Sequence, residues 1–338
     1  MAKNLTFGLL YDLRNPEPWR KPWADLYAET LDFIAWTETI GFDGAWVPEH
    51  HVAADGYVSS PLTALAAIAA RTRRMKLGTG VALGAFYHPV RFAEDSAMVD
   101  VISNGRLEIA LALGYRRRET DAYGIEYATR PSRLDELLQI VRALWSGEAL
   151  SFEGKHFNLK NAFISLRPPR GHIPLFVGAY SEKGMTRVAK YGDGYLGAVE
   201  LYDTYAAKLR ECGREPSAGR FYQASLPLVV AHDPAGAMEE LAPYYHYVSN
   251  TYGVWLNEDG FDGRVQVEEA PRMLSLEEFK AAGLLHVLTP PQAIEFFTKM
   301  RAKAPVEHVT MAVPPGIPLS AFARYAELFA KEVAPAFR

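Results

Sequence analysis

Apolar and polar positions along this chain fall into two rhythms, and the two rhythms alternate. Short apolar runs at residues 6–10, 44–47, 76–80 and 106–112 are each followed by a longer stretch in which apolar residues return every three or four positions. Runs of the first kind suit strands buried in a parallel sheet, and the second spacing suits helices with one apolar face. The predicted helices cover residues 23–39, 61–71 and 89–103. Gly41 supplies a carboxyl cap for the first, Ser59 or Ser60 is available to cap the second, and Pro89 suits the first turn of the third. A helix over 132–145 places Leu134, Leu137, Leu138, Val141 and Leu144 on one face. Residues 150–159 predict a small hairpin turning at Glu153 and Gly154. Strands then follow at 174–178, 194–196, 222–230 and 308–312, with helices at 182–190, 202–212, 290–304 and 319–333.

This alternation predicts a parallel sheet with right-handed crossovers. Eight strands, each with a following helix, predict an α/β fold of the (β/α)8 TIM barrel kind, with an open doubly wound sheet as the other arrangement. Residues 234–289 break the rhythm. They are rich in rings (Tyr244, Tyr245, Tyr247, Tyr252, Trp255, Phe261) and hold no clear strand. They read as a largely helical insertion between strand seven and its last helix, placed to serve as a lid or substrate wall. No repeat or linker divides the chain, so residues 1–338 read as one domain.

Composition narrows the function. Of 338 residues, 49% are apolar and 22% charged, enough for a large core, and the net charge of -4 directs nothing toward nucleic acid or an acidic membrane surface. The longest apolar run, 62–70, falls well short of the ~20 residues that span a bilayer. The first residues lack the apolar region of a signal peptide and read as a strand. The single cysteine, Cys212, excludes an internal disulfide and fits a cytoplasmic location.

In a parallel barrel the loops leaving the strand carboxyl ends converge on one crevice. Glu49, His50 and His51 follow strand two, Gly78 and Gly80 lie at the end of strand three, and Gly114 and Arg116 follow strand four. Two adjacent histidines could bind a metal. Neighbours on a strand point to opposite faces, however, and no HxH, HxxxH or carboxylate cluster completes a set, so no metal is expected. An acid–base or ligand-bonding role for His50 fits better, with the other histidine packed against Glu49. Leu77–Gly–Thr–Gly–Val81 lets backbone approach a flat ligand, or simply leaves room for the next helix. In Gly178–Ala–Tyr–Ser–Glu–Lys–Gly184, a serine opens a helix after a strand. Helix N–H groups and a hydroxyl can hold a phosphate there, and an ordinary serine cap has the same signature. Arg116, Arg117 and Arg118 form either a solvated run or an anion contact.

The segments GFDGAWVPEHH, LGTGV, HPVRFAED, ISNGRLEIALALGY and RLDELLQIVRALWSGE with FEGKHFNL, in this order, resemble bacterial luciferase-like flavin-dependent monooxygenases. The resemblance implies a barrel that binds reduced flavin mononucleotide (FMN) supplied by a separate flavin reductase. It also implies use of molecular oxygen to oxidise a small-molecule substrate, and assembly as a homodimer. By position, His50 resembles the active-site base. Gly80 and Val81 match a pair joined by a non-proline cis peptide that supports the isoalloxazine ring. Glu49, Gly178 and Ala179 fall in the same flavin site, and Ser181 and Gly184 match the phosphate turn. Two departures stand out. Ala112 and Leu113 replace the Cys-Arg of luciferase proper, and Tyr180 replaces a glutamate. Light emission is therefore not expected, and one of Arg116, Arg117 and Arg118, with Arg116 the first candidate, is expected to contact the phosphate or an acidic substrate. The reading that follows is an FMN-dependent two-component monooxygenase acting on an apolar or aromatic compound. A deazaflavin-dependent hydride-transfer enzyme on the same fold, and a non-catalytic flavin-binding barrel, remain open beside it.

Overall fold

The structure, a computed structural model, describes residues 4–258 and 272–338. Eight strands close into a barrel: β1 (Thr6–Tyr11), β2 (Gly44–Val47), β3 (Lys76–Thr79), β4 (Leu107–Ala112), β5 (Leu175–Val177), β6 (Gly194–Gly197), β7 (Arg220–Leu226) and β8 (His308–Val313). Every neighbouring pair is parallel. β8 closes on β1 in the register Thr6 to His308 through Tyr11 to Val313. The TIM barrel expectation holds.

Around it lie α1 (Trp23–Ile40), α2 (Pro61–Arg71), α3 (Pro89–Ser103), α4 (Arg117–Ala122), α5 (Arg130–Ser146), α6 (Glu182–Tyr191), α7 (Tyr202–Glu211), α8 (Pro234–Glu258), α9 (Leu276–Ala281), α10 (Pro290–Lys303) and α11 (Leu319–Glu332). Most core residues sit between strands and helices. A smaller group, Leu10, Trp46, Ala110, Phe176, Leu196 and Tyr222, fills the barrel interior. Trp46 fits there because β1 and β2 carry glycine beside it. A Cβ on Gly8 would come within 2.7 Å of His308 Nε2 and 2.9 Å of Trp46 Nε1.

Three local expectations need correction. The strand expected over 222–230 is two strands, because Pro227 has no N–H to give the ladder. β7 stops at Leu226, and Leu228–Val230 leaves the barrel to pair in parallel with His286–Leu288. The region 234–289 therefore holds a short strand at its end, which the sequence pattern did not show. The hairpin pairs Leu150–Glu153 with Asn158–Ala162, and its turn extends over residues 154–157. There the Glu136 carboxylate accepts the N–H groups of Lys155, His156 and Phe157. Residues 259–271 of the insertion, with Phe261, lie outside the described residues.

Candidate active site at the barrel mouth

The carboxyl ends of β3, β4 and β5 meet in one patch. The Gly80–Val81 peptide is cis. Gly178 faces it: a Cβ there would lie 3.3 Å from Val81 Cγ1 and 3.6 Å from Ala112 Cβ. Ala179 lies at the start of α6, where a Cβ on Gly184 would come 2.8 Å from its own. Small residues, Gly80, Gly178, Ala112 and Ala179, dominate the patch, so a flat ligand could approach its backbone closely.

Two buried histidines flank it and differ in their bonding. His51 Nε2 pairs with Glu49 Oε1 at 2.8 Å, and its Nδ1 meets the Tyr123 hydroxyl at 3.0 Å. The other Glu49 oxygen accepts from the Leu83 N–H at 2.7 Å and the Tyr87 hydroxyl at 2.9 Å. Both carboxylate oxygens are thus engaged by protein, and Glu49 fixes the loop that follows Val81. His50 Nδ1 lies 2.8 Å from Glu119 Oε1, an oxygen that also accepts the His51 N–H at 2.9 Å and Arg116 Nη1 at 3.3 Å. Burial works against the Glu119 charge, but these three donors hold its carboxyl below the usual range. An ionised Glu119 makes His50 Nδ1 the donor and leaves the lone pair of the neutral ring on Nε2. No described residue hydrogen-bonds that Nε2.

The His50 ring is enclosed by Tyr57 at 4.8 Å, Trp255 at 5.0 Å, Tyr115 at 5.6 Å and Tyr252 at 5.9 Å between centroids. Tyr252 and Trp255 come from α8, whose 25 residues cross the mouth. Polar contacts seat this helix. Tyr245 donates to the Ala312 carbonyl at the end of β8 at 2.7 Å, Tyr247 donates to Asp55 at 2.8 Å, and the Tyr252 and Tyr57 hydroxyls meet at 2.9 Å.

Arg116 is almost wholly buried and belongs to this assembly rather than to the α6 turn. It donates to the His51 carbonyl at 2.9 Å, lies 3.4 Å from Glu258 and stacks 4.1 Å from the Trp255 ring. Arg117 and Arg118 are exposed, and Arg117 lies over the Tyr127 ring. At α6, the exposed Ser181 is a true helix cap, its Oγ accepting the Gly184 N–H at 3.2 Å. Among the described residues, no group of three His, Cys, Asp or Glu side chains is placed to hold a metal.

Sequence reasoning missed Glu119, the Tyr57 and Tyr115 rings, and the group of Asp12, Arg14 and Asp55. Glu119 had a faint signal, a carboxylate directly after the arginine run and three residues from Arg116. Arg14 Nε donates to Asp55 at 2.6 Å, and Asp12 lies 3.9 Å from Arg14 Nη1. Burial pushes the Asp12 carboxyl up to about 6, against the pull of Arg14.

Known proteins are similar to this chain in sequence or in fold. An F420-dependent glucose-6-phosphate dehydrogenase of Kineococcus radiotolerans is 34% identical over 227 residues, 62% of this chain and 66% of that protein. A 4-hydroxyprotoasukamycin monooxygenase of Streptomyces nodosus subsp. asukaensis is 32% identical over 196 residues, 56% of this chain and 52% of that protein. The chain therefore spans between half and two thirds of the length of these relatives. The crystal structure of a monooxygenase from Streptomyces bottropensis superposes with a TM-score of 0.84 at 23% identity, covering 99% of this chain and 100% of that one. The family model described as luciferase-like monooxygenase matches residues 9–288, and the chain belongs to that family.

Proposed function

We propose that the chain is a flavin-dependent oxidoreductase, and specifically a two-component monooxygenase that takes reduced FMN from a separate reductase. When bound, the reduced flavin supplies the electrons with which one atom of molecular oxygen enters a small apolar or aromatic substrate. His50 carries this reading: a buried imidazole fixed through Nδ1 by an ionised carboxylate, with Nε2 left over inside an aromatic enclosure at the strand ends. A base so placed takes a proton from the substrate or returns one to it. Gly80, Val81, Gly178 and Ala179 form the platform for the ring, and Glu49 fixes the loop beside it. Ser181 and the first N–H groups of α6 receive the phosphate, where the helix dipole favours an anion. The rings of α8 exclude water, which keeps activated oxygen from being released as hydrogen peroxide.

A deazaflavin-dependent hydride transfer is the second reading, favoured by the 34% identity to an F420-dependent dehydrogenase. Titration of the pure protein with reduced FMN and with reduced deazaflavin separates the two. Binding of the deazaflavin alone overturns the monooxygenase reading. With FMN bound and a reductase present, substrate-stimulated oxygen uptake is the expected result.

A further inference from the structure

Unpaired polar atoms are not scattered evenly through this protein. Among the described residues, ten buried side-chain atoms lack a hydrogen-bond partner: Arg14 Nη1 and Nη2, Asp55 Oδ1, Tyr115 Oη, Arg116 Nε and Glu119 Oε2 at the mouth, and four atoms elsewhere. Arg14 contributes two of them, although its side chain is fully buried. An unpaired donor in a core costs stability, and such a cluster marks a place where a ligand supplies the partners.

The surroundings of Arg14 connect it to His50. The guanidinium lies 5.3 Å from the Tyr57 ring, 5.0 Å from Tyr247 and 5.5 Å from Trp255. Tyr57 and Trp255 are also the two rings nearest His50. The arginine and the histidine therefore pack against the same pair of rings. Tyr247 and Trp255 both belong to α8 and cover a wholly buried Arg14, so a ligand reaches its Nη1 and Nη2 by displacing that helix.

Charge selects what enters. Asp55 and Asp12 already oppose the single charge of Arg14, so a carboxylate brought beside it would bury an excess anion. A neutral oxygen satisfies the fork without that cost. We propose that Arg14 is the substrate-orienting residue of this site, its Nη1 and Nη2 holding a carbonyl oxygen of an uncharged, ring-bearing substrate whose reacting carbon lies toward His50. This rests on the reading of the mouth as a flavin and substrate site.

Acetophenone, ethylbenzene and benzoate serve as probes, matched in size and differing in the oxygen they present. Their binding to the FMN-loaded full chain is followed by calorimetry for the wild type, Arg14→Lys, Arg14→Met, and Arg14→Met combined with Asp55→Asn to restore charge balance. The wild type should prefer acetophenone to ethylbenzene by about 10-fold to 100-fold and should not prefer benzoate. Arg14→Lys keeps the charge without the planar fork and should lose most of that preference. The Arg14→Met forms should lose all of it, with FMN affinity unchanged in every variant. A structural role for Arg14 moves thermal stability and leaves the ratio alone. Retention of the carbonyl preference in the folded variants overturns the proposal, as does preference for benzoate, or no binding of any probe by the wild type. Loss of FMN and deazaflavin binding by the wild type is a different result, and it overturns the functional reading beneath.

Discussion

Replacing Glu119 by Gln tests whether one buried carboxylate organises the mouth. The change keeps the side-chain shape and removes the charge that three donors share, His50 Nδ1, the His51 N–H and Arg116 Nη1. A hydrogen bond to a charged group contributes about 1.5–3 kcal/mol, against about 0.5–1.5 kcal/mol for a neutral one. Loss of charge assistance, about 1–1.5 kcal/mol per bond, then costs about 3–4.5 kcal/mol over three bonds, within the about 3–5 kcal/mol expected when one partner is removed from a buried pair. The half-exposed Glu258, 3.4 Å from Arg116, keeps that cation from being stranded and holds the loss toward the lower figure. The sign with pH follows from the depressed Glu119 value. The contribution is fully present above the unfolded carboxyl value of about 4.3 and disappears as pH falls through the folded one. Urea unfolding of both proteins across pH should give a constant difference near neutrality that shrinks in acid. With FMN and any substrate that stimulates oxygen uptake, kcat should fall while FMN affinity and KM hold, because His50 loses its orientation and the ring platform does not change. A stability loss below about 0.5 kcal/mol at neutral pH, the range of an ordinary surface change, refutes the reasoning. So does a difference that survives unchanged in acid.

His50→Gln should retain the fold and flavin affinity and lower substrate-stimulated turnover by about 10²–10⁴-fold; wild-type turnover would transfer the role to His51. Ser181→Ala should weaken FMN by about 1.5–3 kcal/mol and leave riboflavin unaffected, as measured by flavin titration, since only FMN carries the phosphate. Arg116→Ala should weaken both flavins alike or neither, because its partners are Glu119, the His51 carbonyl and α8; selective loss of FMN would restore it as a phosphate ligand. Trp255→Ala should increase hydrogen peroxide released per substrate oxidised, assayed with peroxidase; unchanged coupling removes α8 from the role of water barrier.

The barrel was legible because its signals are local. A buried strand and an amphipathic helix each write their period into a few neighbouring residues, and glycine or proline marks most boundaries. The errors came where distant residues decide. The turn at 154–157 depends on Glu136, on another element, to gather three N–H groups. The strand His286–Leu288 is only three half-buried residues and exists because Leu228–Val230 runs beside it. The site divides the same way. His50 announced itself as a titratable pair after a strand, whereas Glu119, which gives it direction, lies 69 residues later at the start of an unpredicted six-residue helix. Arg14 was hidden for a related reason: an arginine in a loop after a first strand reads as solvated, and the groups that enclose it, Asp55, Tyr57 and the α8 rings, all come much later in the chain.

Two buried histidines show how hydrogen bonding separates support from chemistry. His308 stands at the start of β8, at the barrel floor. Trp46 Nε1 donates to its Nε2 at 2.8 Å, and its Nδ1 meets Thr6 Oγ1 at 2.8 Å, which in turn donates to the Glu307 carbonyl at 2.9 Å. Burial, together with the nearby Lys76 and Arg220 charges, pushes this imidazole well below its ordinary value. It is neutral, its tautomer is set by Trp46, and both nitrogens are engaged. A proton arriving there would break the Trp46 bond and place a cation beside two others, so His308 is suited to holding β1, β2 and β8 together and unsuited to acid–base work. His50 is also buried, but among the described residues it is bonded at one nitrogen only, and its partner is the Glu119 carboxylate. The same residue type, at opposite ends of one barrel, is thus fixed as a brace by two neutral partners and released as a base by one charged partner.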